Sequence, residues 1–163
     1  MVEVFVGLGS NVAPERHLSF AVASLTRHFG LLRCSRVYQS APFGFSGADF
    51  LNMVAGFASV LPAQTVESLL SDVEQAAGRP PNSGRSGPRT LDLDLLLYGA
   101  RVDPALRLPR VDVLQYPFVL APLAELAPAL RHPVTGISID AAWQRVAATR
   151  PRMSCRGALD ALT

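Results

Sequence analysis

The chain has 163 residues, of which 49% are hydrophobic and 17% are charged, a composition that favours a single globular domain over residues 1–163 and excludes a disordered chain. Its formal net charge of +2 gives no indication of nucleic-acid binding, and its 15 basic residues include no lysine, so a Gly-Lys-Ser/Thr phosphate loop is excluded. Neither a signal segment nor an apolar run long enough to cross a membrane is found in the sequence. We therefore expect a soluble, cytoplasmic protein.

The first half of the chain alternates strands and amphipathic helices. Residues 2–8 have the alternation typical of a strand, and the glycine-containing segment 7–11 is expected to end it. A helix then begins near Pro14 and ends before Gly30. A strand within residues 31–39, a loop at 40–49 and an apolar strand over 50–60 follow.

The second half completes a recognisable order of elements. A helix is predicted over about residues 63–77, and a loop over 78–88, which is rich in glycine, proline and serine; the apolar strand "RTLDLDLLLYG" at 89–99 follows. The order β-α-β-β-α-β predicts an α+β protein with a ferredoxin-like core, an antiparallel sheet with helices on one face. C-terminal strand and helix additions extend it, with helices near 119–127 and 138–149. A short terminal helix or a frayed tail is expected over 151–163.

Two aspartates lie in the last strand of this core, where apolar residues predominate. Because successive side chains point to opposite faces, Asp92 and Asp94 share a face with Leu96 and Tyr98, while Leu97 takes the other face; the two carboxylates are about 7 Å apart along the strand. Unpaired charges in such a setting are costly, so a cation is needed.

That cation can come from two sources. The pair can bind Mg²⁺ together with phosphate oxygens, while Arg79, Arg85 and Arg89 of the preceding loop contact the phosphates. Alternatively, the aspartates form a structural cluster with Arg89 and a second arginine. The spacing alone does not decide between these interpretations.

Three other features also allow two interpretations. The segment 9–11 can bind an anion at a helix N-terminus or form a turn with a helix cap, which we favour. Glu74 can be an ordinary solvated residue or can contact a polar edge of a substrate. Phe50 and Phe118 are core aromatics unless a ligand contacts them.

Several ordered segments resemble a known family. The segment "GPRTLDLDLLLYG" at 87–99 is similar to the signature of the 6-hydroxymethyl-7,8-dihydropterin pyrophosphokinase family of folate biosynthesis, and the agreement in order and spacing extends from the first strand to about residue 128. The other segments are "VGLGSN" (6–11), "VYQSAPFG" (37–44), "FLNMVAGF" (50–57), "EQAAGR" (74–79) and "FVLAPLAELAP" (118–128). The resemblance implies the ferredoxin-like fold and transfer of pyrophosphate from ATP to the pterin hydroxymethyl group, with release of AMP. The spacing of residues does not distinguish this reaction from γ-phosphoryl transfer.

The resemblance also implies roles for individual residues. Asp92 and Asp94 match the ligands of two Mg²⁺ ions, and Arg79 and Arg89 match arginines near the phosphates; these four are the implied catalytic residues. The positions implied for ATP, the co-substrate, are Glu74, Arg85, Leu95, Leu106, Arg107 and Arg110. The positions implied for the pterin are Ser40, Phe43, Phe50, Asn52 and Phe118. The resemblance implies that Phe50 and Phe118 sandwich the ring and that Asn52 hydrogen-bonds it. The implied partners are the two small molecules, ATP and the hydroxymethyl-dihydropterin. No nucleic acid or membrane is implied, and the sequence indicates no protein partner.

The chain departs from the family pattern at five positions. Arg110 and Val111 replace a histidine and an aromatic residue or proline, Tyr116 replaces an arginine, and Pro81 and Ser86 replace an arginine and a tryptophan. A missing phosphate contact is expected to weaken transition-state stabilisation by about 3 kcal/mol. Two further hypotheses therefore stay open: a divergent paralogue that acts on a modified pterin, as in a methanopterin-like pathway, and a module that binds nucleotide or pterin without turnover.

Overall fold

The structure, a computed structural model, describes residues 1–79, 88–149 and 151–162. Six strands and five α-helices are found in these residues, with a short 3-10 helix at Leu159–Ala161. The strands are β1 (Val2–Ser10), β2 (Arg33–Cys34), β3 (Val37–Ser40), β4 (Phe50–Ser59), β5 (Asp92–Tyr98) and β6 (Met153–Gly157). The helices are α1 (Pro14–Phe29), α2 (Ala63–Ala76), α3 (Asp112–Gln115), α4 (Pro117–Leu126) and α5 (Ile139–Ala147).

The strands form one antiparallel sheet in the order β5-β1-β4-β3-β6, with β2 pairing on β4. The first four of these strands have the order of a ferredoxin-like sheet, which confirms the predicted β-α-β-β-α-β core and its C-terminal additions. The strand that carries the two aspartates lies beside the central β1, as that topology requires.

Both faces of the sheet are covered, so the expectation of helices on one face holds only for the ferredoxin-like core. On one face, alternate residues such as Val4 and Val6 pack with α1 and α2 in the larger hydrophobic cluster. On the opposite face, Phe5 and Val54 pack with Leu120 of α4 and other residues of α4 and α5. The C-terminal helices thus make a third layer over part of the second face.

The first strand is longer than the sequence predicts. It continues through the two glycines to Ser10, because both neighbouring strands pair with it there: Gly7 lies between Val54 and Asp94, and Gly9 lies between Asn52 and Asp92. Glycines often weaken strands, but pairing on both sides outweighs that tendency. This extension brings Asn52 and Asp92 into one row across the sheet.

A β-bulge changes which side chains share a face in β5. The register with β1 shifts between Phe5 and Val6, so that Leu96 is inserted in the ladder. Leu96 and Leu97 consequently both pack in the cluster under α4 and α5, whereas Tyr98 packs on the α1–α2 side and donates a hydrogen bond to the Leu61 carbonyl at 2.7 Å. The predicted faces of Leu97 and Tyr98 are therefore wrong, since strict alternation ends at the bulge.

The C-terminal segment, for which a short helix or a frayed tail is predicted, instead forms the edge strand β6. It pairs with β3 from Val37 to Ser40 and ends in the short 3-10 helix. Ladder hydrogen bonds to β3 order this segment, and no local pattern in its sequence indicates them. Among the described residues, no helix has the length and apolar character needed to cross a membrane.

Candidate active site

A cavity of about 400 Å³ lies over the sheet face that α4 and α5 leave partly uncovered. Its floor is formed by Gly9 of β1, Asn52 of β4 and the two aspartates of β5. The cavity brings together nine of the residues for which the resemblance implies a site role: Ser40, Phe43, Phe50, Asn52, Arg89, Asp92, Asp94, Arg110 and Phe118. Charged side chains line one end and aromatic side chains line the other.

At the charged end, Asp92 pairs with two arginines. Arg79 Nη1 lies 2.7 Å from Asp92 Oδ1, and Arg89 Nη1 contacts Asp92 Oδ2. Arg79 Nη1 also lies 2.5 Å from Glu74 Oε1, which in turn accepts a hydrogen bond from the Leu93 backbone N–H at 2.7 Å. Glu74 is thus neither simply solvated nor isolated: it ties the end of α2 to β5 and holds Arg79 against Asp92.

The second aspartate has a different partner. Asp94 Oδ1 lies 2.7 Å from Arg110 Nη2, and Arg110 Nε donates to Asp112 Oδ2 at 2.6 Å. Burial, and after it the charge of Asp92, raises the pKa of Asp94 to about 7, in spite of the opposing effect of Arg110. Burial likewise raises the pKa of Glu74. This end of the cavity therefore holds more negative charge than its environment favours.

Both interpretations of the aspartate pair are compatible with these contacts. The arginine cluster that the sequence offered as the structural alternative is present, with Arg79, Arg89 and Arg110 as its cations. Cation binding is also compatible, because the two carboxylates stay partly accessible, with side-chain exposures of 20% for Asp92 and 30% for Asp94. In the described residues no group of three or more His, Cys, Asp or Glu is placed to hold a metal ion, so phosphate or water would have to supply the remaining ligands.

The other end of the cavity is aromatic and uncharged. The Phe118 ring stacks on that of Tyr116, with centroids 5.2 Å apart at 11°, and Phe43 meets Tyr116 edge-on at 5.2 Å. Phe50 lies at the start of β4 with Phe45 edge-on at 6.1 Å. Asn52, which is buried, donates from Nδ2 to Ser40 Oγ at 3.0 Å. A flat polar heterocycle fits such a lining, because rings provide stacking surfaces and a fixed amide provides directional hydrogen bonds.

Gly9 lies between the two ends of the cavity; the sequence placed it in the candidate anion-binding segment 9–11 and not in the floor of this cavity. A Cβ at this position would lie 3.2 Å from Asn52 Oδ1, which is tighter than ordinary van der Waals contact. The missing side chain therefore leaves the floor open between the amide of Asn52 and the carboxylate of Asp92. The signal that could have identified it is the register of β1 between β4 and β5, which local sequence patterns do not give.

The neighbouring Ser10 and Asn11 do not cap α1, and their side chains bond to the backbone of the segment that precedes β5. Ser10 Oγ donates to the Thr90 carbonyl at 2.5 Å, and Asn11 Oδ1 accepts from the Arg89 backbone N–H at 2.7 Å. The N-terminus of α1 has no side-chain cap. These two residues instead fix the backbone that carries Arg89, so the favoured turn-and-cap interpretation is wrong.

A second cavity of about 510 Å³ lies on the other side of Arg110. Three residues with an implied nucleotide role, Glu74, Leu95 and Arg110, line it together with polar residues of α2 such as Gln64 and Ser71. Leu106 and Arg107 are in the turn closed by the Asp103–Leu108 bridge and are not among the described residues that line either cavity. Arg85, Pro81 and Ser86 lie outside the described residues.

Comparison with known proteins identifies relatives with a common activity. The chain is 40% identical over 140 residues to the 2-amino-4-hydroxy-6-hydroxymethyldihydropteridine pyrophosphokinase of a Synechocystis species, a match that covers 82% of this chain and 71% of that protein. It is 38% identical over 142 residues to the protein of that name from Porphyromonas gingivalis, covering 82% and 95%. The protein of that name from Bacillus subtilis is 33% identical over 148 residues, covering 87% and 88%.

Solved structures share the fold. A crystal structure of Plasmodium falciparum HPPK-DHPS has a TM-score of 0.73 at 10% identity; the match covers 90% of this chain and 46% of that one, which is therefore about twice as long as the matched region. The model of the family described as 7,8-dihydro-6-hydroxymethylpterin-pyrophosphokinase matches residues 5–128. That range contains the whole cavity floor, both aspartates and the aromatic end. The chain therefore belongs to the 7,8-dihydro-6-hydroxymethylpterin-pyrophosphokinase family.

Proposed function

We propose that this chain transfers the pyrophosphoryl group of ATP to the hydroxymethyl group of 6-hydroxymethyl-7,8-dihydropterin, a step of folate biosynthesis. The pterin hydroxymethyl oxygen bonds to the β-phosphorus, the bond from that phosphorus to the bridging oxygen of the α-phosphate breaks, and AMP leaves with that oxygen. The hydroxyl proton is released, and the product is a pterin diphosphate.

The observation that carries this proposal is the division of one cavity between an aromatic end and a charged end. A pterin between Phe50 and Phe118 would have its ring over the uncharged half, with Asn52 available to its polar edge. Its hydroxymethyl substituent would then point over Gly9 toward Asp92 and the arginines. Holding two reactants in this relation supplies much of the rate enhancement of a transfer reaction.

The charged end supports catalysis by positioning and electrostatic stabilisation, as is usual for transfer of phosphoryl-type groups. Guanidinium groups bind phosphate oxygens in a bidentate manner and stay charged, and Arg79 and Arg89 are already held near Asp92. We assign these two arginines to the phosphates of ATP. Glu74, Leu95 and Arg110 line the second cavity, and we assign that cavity to the remainder of the nucleotide.

We further propose that the reaction depends on Mg²⁺ held by Asp92 and Asp94. The residues fit such an ion, because carboxylate oxygens are its preferred protein ligands and because both carboxylates line one cavity and stay partly accessible. The ion, when bound, would neutralise phosphate charge. The aspartates would orient it, and the aromatic residues would exclude water from the reacting oxygen.

Product analysis tests the proposed function. The purified protein is incubated with MgATP and 6-hydroxymethyl-7,8-dihydropterin, and nucleotides are separated by chromatography. We expect AMP to form in equal amounts with a pterin diphosphate, and we expect EDTA in excess of Mg²⁺ to stop it. ADP with a pterin monophosphate would instead mean γ-phosphoryl transfer and would overturn the proposal.

The same assay separates the two other hypotheses. Nucleotide binding without AMP formation at saturating pterin would indicate a binding module. Faster AMP formation with a pterin that carries an additional substituent at the 6- or 7-position would indicate a paralogue for a modified substrate. Neither is favoured by the relatives, which are named as pyrophosphokinases of the hydroxymethyldihydropterin.

A further inference from the structure

Arg110 lies between the two cavities and lines both of them. Its backbone N–H donates to the Leu96 carbonyl at 2.9 Å, which fixes the main chain against β5. Its guanidinium forks between two carboxylates, with Nη2 at 2.7 Å from Asp94 Oδ1 and Nε at 2.6 Å from Asp112 Oδ2. The side chain is only 22% exposed, so both ion pairs are partly shielded from water.

This arrangement conflicts with cation binding at Asp94. A guanidinium 2.7 Å from Asp94 Oδ1 occupies one acceptor site of that carboxylate, and two positive charges within a few ångström repel each other strongly in a partly buried site. A metal ion that uses Asp94 therefore competes with Arg110 for the same carboxylate. The competition would be costly if Arg110 were left with no partner, because an unpaired buried charge is strongly destabilising.

Asp112 removes that cost. It lies at the start of α3, where Arg110 reaches it through Nε while Nη2 reaches Asp94. If the contact with Asp94 breaks, the guanidinium keeps a charge-assisted hydrogen bond of 2.6 Å to Asp112. Among the described residues, the ion pairs that Arg79 and Arg89 make with this aspartate pair are to Asp92, and Arg110 is the arginine that pairs with Asp94.

We propose that Arg110 is an exchangeable counterion for the metal-binding carboxylate: it neutralises Asp94 in the ligand-free protein and, when a divalent cation binds there, keeps only its ion pair with Asp112. This inference rests on the proposed function for the position of the metal ion. It makes Asp112 a positioning residue that sets metal affinity through Arg110, and neither residue need contact the reacting atoms for it.

The test measures binding of Mn²⁺ alone to the full-length protein, without nucleotide or pterin, from the electron paramagnetic resonance signal of free Mn²⁺. Arg110→Ala removes the competitor, so the Kd for Mn²⁺ is expected to fall about fivefold, the factor that corresponds to an ion pair of about 1 kcal/mol. Arg110→Gln, which keeps most of the side-chain volume, is expected to do the same and guards against a packing artefact. Asp112→Asn leaves Asp94 as the remaining carboxylate partner of Arg110 in this fork, so the Kd is expected to rise about threefold.

The double variant Arg110→Ala/Asp112→Asn decides how Asp112 acts. If it acts through Arg110, the Asp112 substitution has no effect once Arg110 is absent, and the cycle shows strong coupling. Equal weakening by Asp112→Asn in both backgrounds would mean that its charge acts directly on the metal ion, and the proposal would be overturned. An unchanged or higher Kd in the Arg110 variants, or undetectable Mn²⁺ binding by the parent and these variants alike, would also overturn it.

Failure of this proposal is distinguishable from failure of the proposed function. Mn²⁺ binding is measured without either substrate, and AMP formation is measured separately on the parent protein. AMP formation together with unaltered Mn²⁺ affinity in the Arg110 variants rejects the counterion and keeps the enzyme. Mn²⁺ affinity that changes as expected in the Arg110 variants, together with no AMP formation by the parent, supports the counterion and rejects the proposed reaction.

Discussion

The two ends of the cavity are organised in opposite ways, although they share one floor. At the charged end the side chains pair with one another: Asp92 contacts two arginines and Asp94 contacts one. At the aromatic end Phe50 meets Phe45 and Phe118 stacks on Tyr116, and all four rings line the same cavity. One end is a network of ion pairs that a ligand must rearrange, and the other offers ring surfaces on which a ligand can stack.

This difference predicts different binding costs. Rearranging partly buried ion pairs is worthwhile only for a ligand that brings compensating charges, such as a metal–polyphosphate complex. Stacking between rings requires little rearrangement and tolerates small changes in the ligand. We therefore expect substitutions at the charged end to reduce turnover and substitutions at the aromatic end to reduce pterin affinity.

The largest effect is expected for Asp94→Ala. This substitution removes a proposed metal ligand and should lower kcat by at least about 10³-fold, a barrier increase of ~4 kcal/mol. The fold should be retained, because Arg110 keeps Asp112 as a partner. AMP release at saturating substrates measures the effect.

Asp72→Ala is the matched control, because Asp72 is an exposed aspartate on α2. It should leave kcat unchanged within about twofold. Activity of Asp94→Ala within about tenfold of the parent, a barrier change of only ~1.4 kcal/mol, would remove Asp94 from the metal site.

The second effect, at the aromatic end, is expected for Phe118→Ala. Loss of one stacking face should raise the KM for the pterin about 30-fold, equivalent to ~2 kcal/mol, while the KM for MgATP changes less than about threefold. Phe29→Ala is the control: Phe29 stacks on Phe57 at 4.2 Å in the core beneath α1, so its loss should lower Tm without changing either KM. Equal increases in both KM values for Phe118→Ala would mean that the two ends are not separate.

The extent to which the sequence predicts this site follows the same division. Type and spacing indicated the aspartate pair and the arginines of the preceding loop, and the core topology followed from the order of elements. Phe50 and Phe118 were core aromatics by that reasoning, and only the resemblance to the family made them candidate site residues. Local patterns do not give strand register, so the extension of β1 past Gly7 and the row from Asn52 to Asp92 could not be predicted. The bulge at Leu96 and the edge strand β6 depend in the same way on pairing with distant residues. Asp112, two residues after Arg110, carries no sequence signal that distinguishes it from a solvated aspartate.

The third effect is expected at the boundary between the two ends, for Gly9→Ala. The added Cβ would lie 3.2 Å from Asn52 Oδ1 and should displace that amide by a few tenths of an ångström. We expect the KM for the pterin to rise about fivefold, ~1 kcal/mol, with a smaller change for MgATP.

Gly7→Ala is a close control for this substitution on the same strand. A Cβ at Gly7 would have its nearest contact at 3.5 Å, with the Leu96 side chain, which is ordinary van der Waals contact. Indistinguishable pterin KM values for the two variants would show that Gly9 is not required to leave the floor open.

The smallest effect is expected for Asp94→Asn in EDTA, and it is a change in the free energy of unfolding. The pKa of Asp94 is raised to about 7 in the folded protein, so the native state binds more protons than the unfolded state between about pH 4 and 7. The parent therefore loses stability as pH rises through this window, and the loss is complete above pH 7. The asparagine side chain does not titrate at this position. The free energy of unfolding of the variant should therefore exceed that of the parent at pH 8 by on the order of 1 kcal/mol, a small value because the carboxylate is partly exposed and paired with Arg110.

Urea unfolding at pH 5 and pH 8 measures this difference, which should shrink toward zero at the lower pH. A difference that is independent of pH, or that grows as pH falls, would mean that Asp94 is adequately neutralised by its arginine and that the charged end carries no excess negative charge for a metal ion to satisfy.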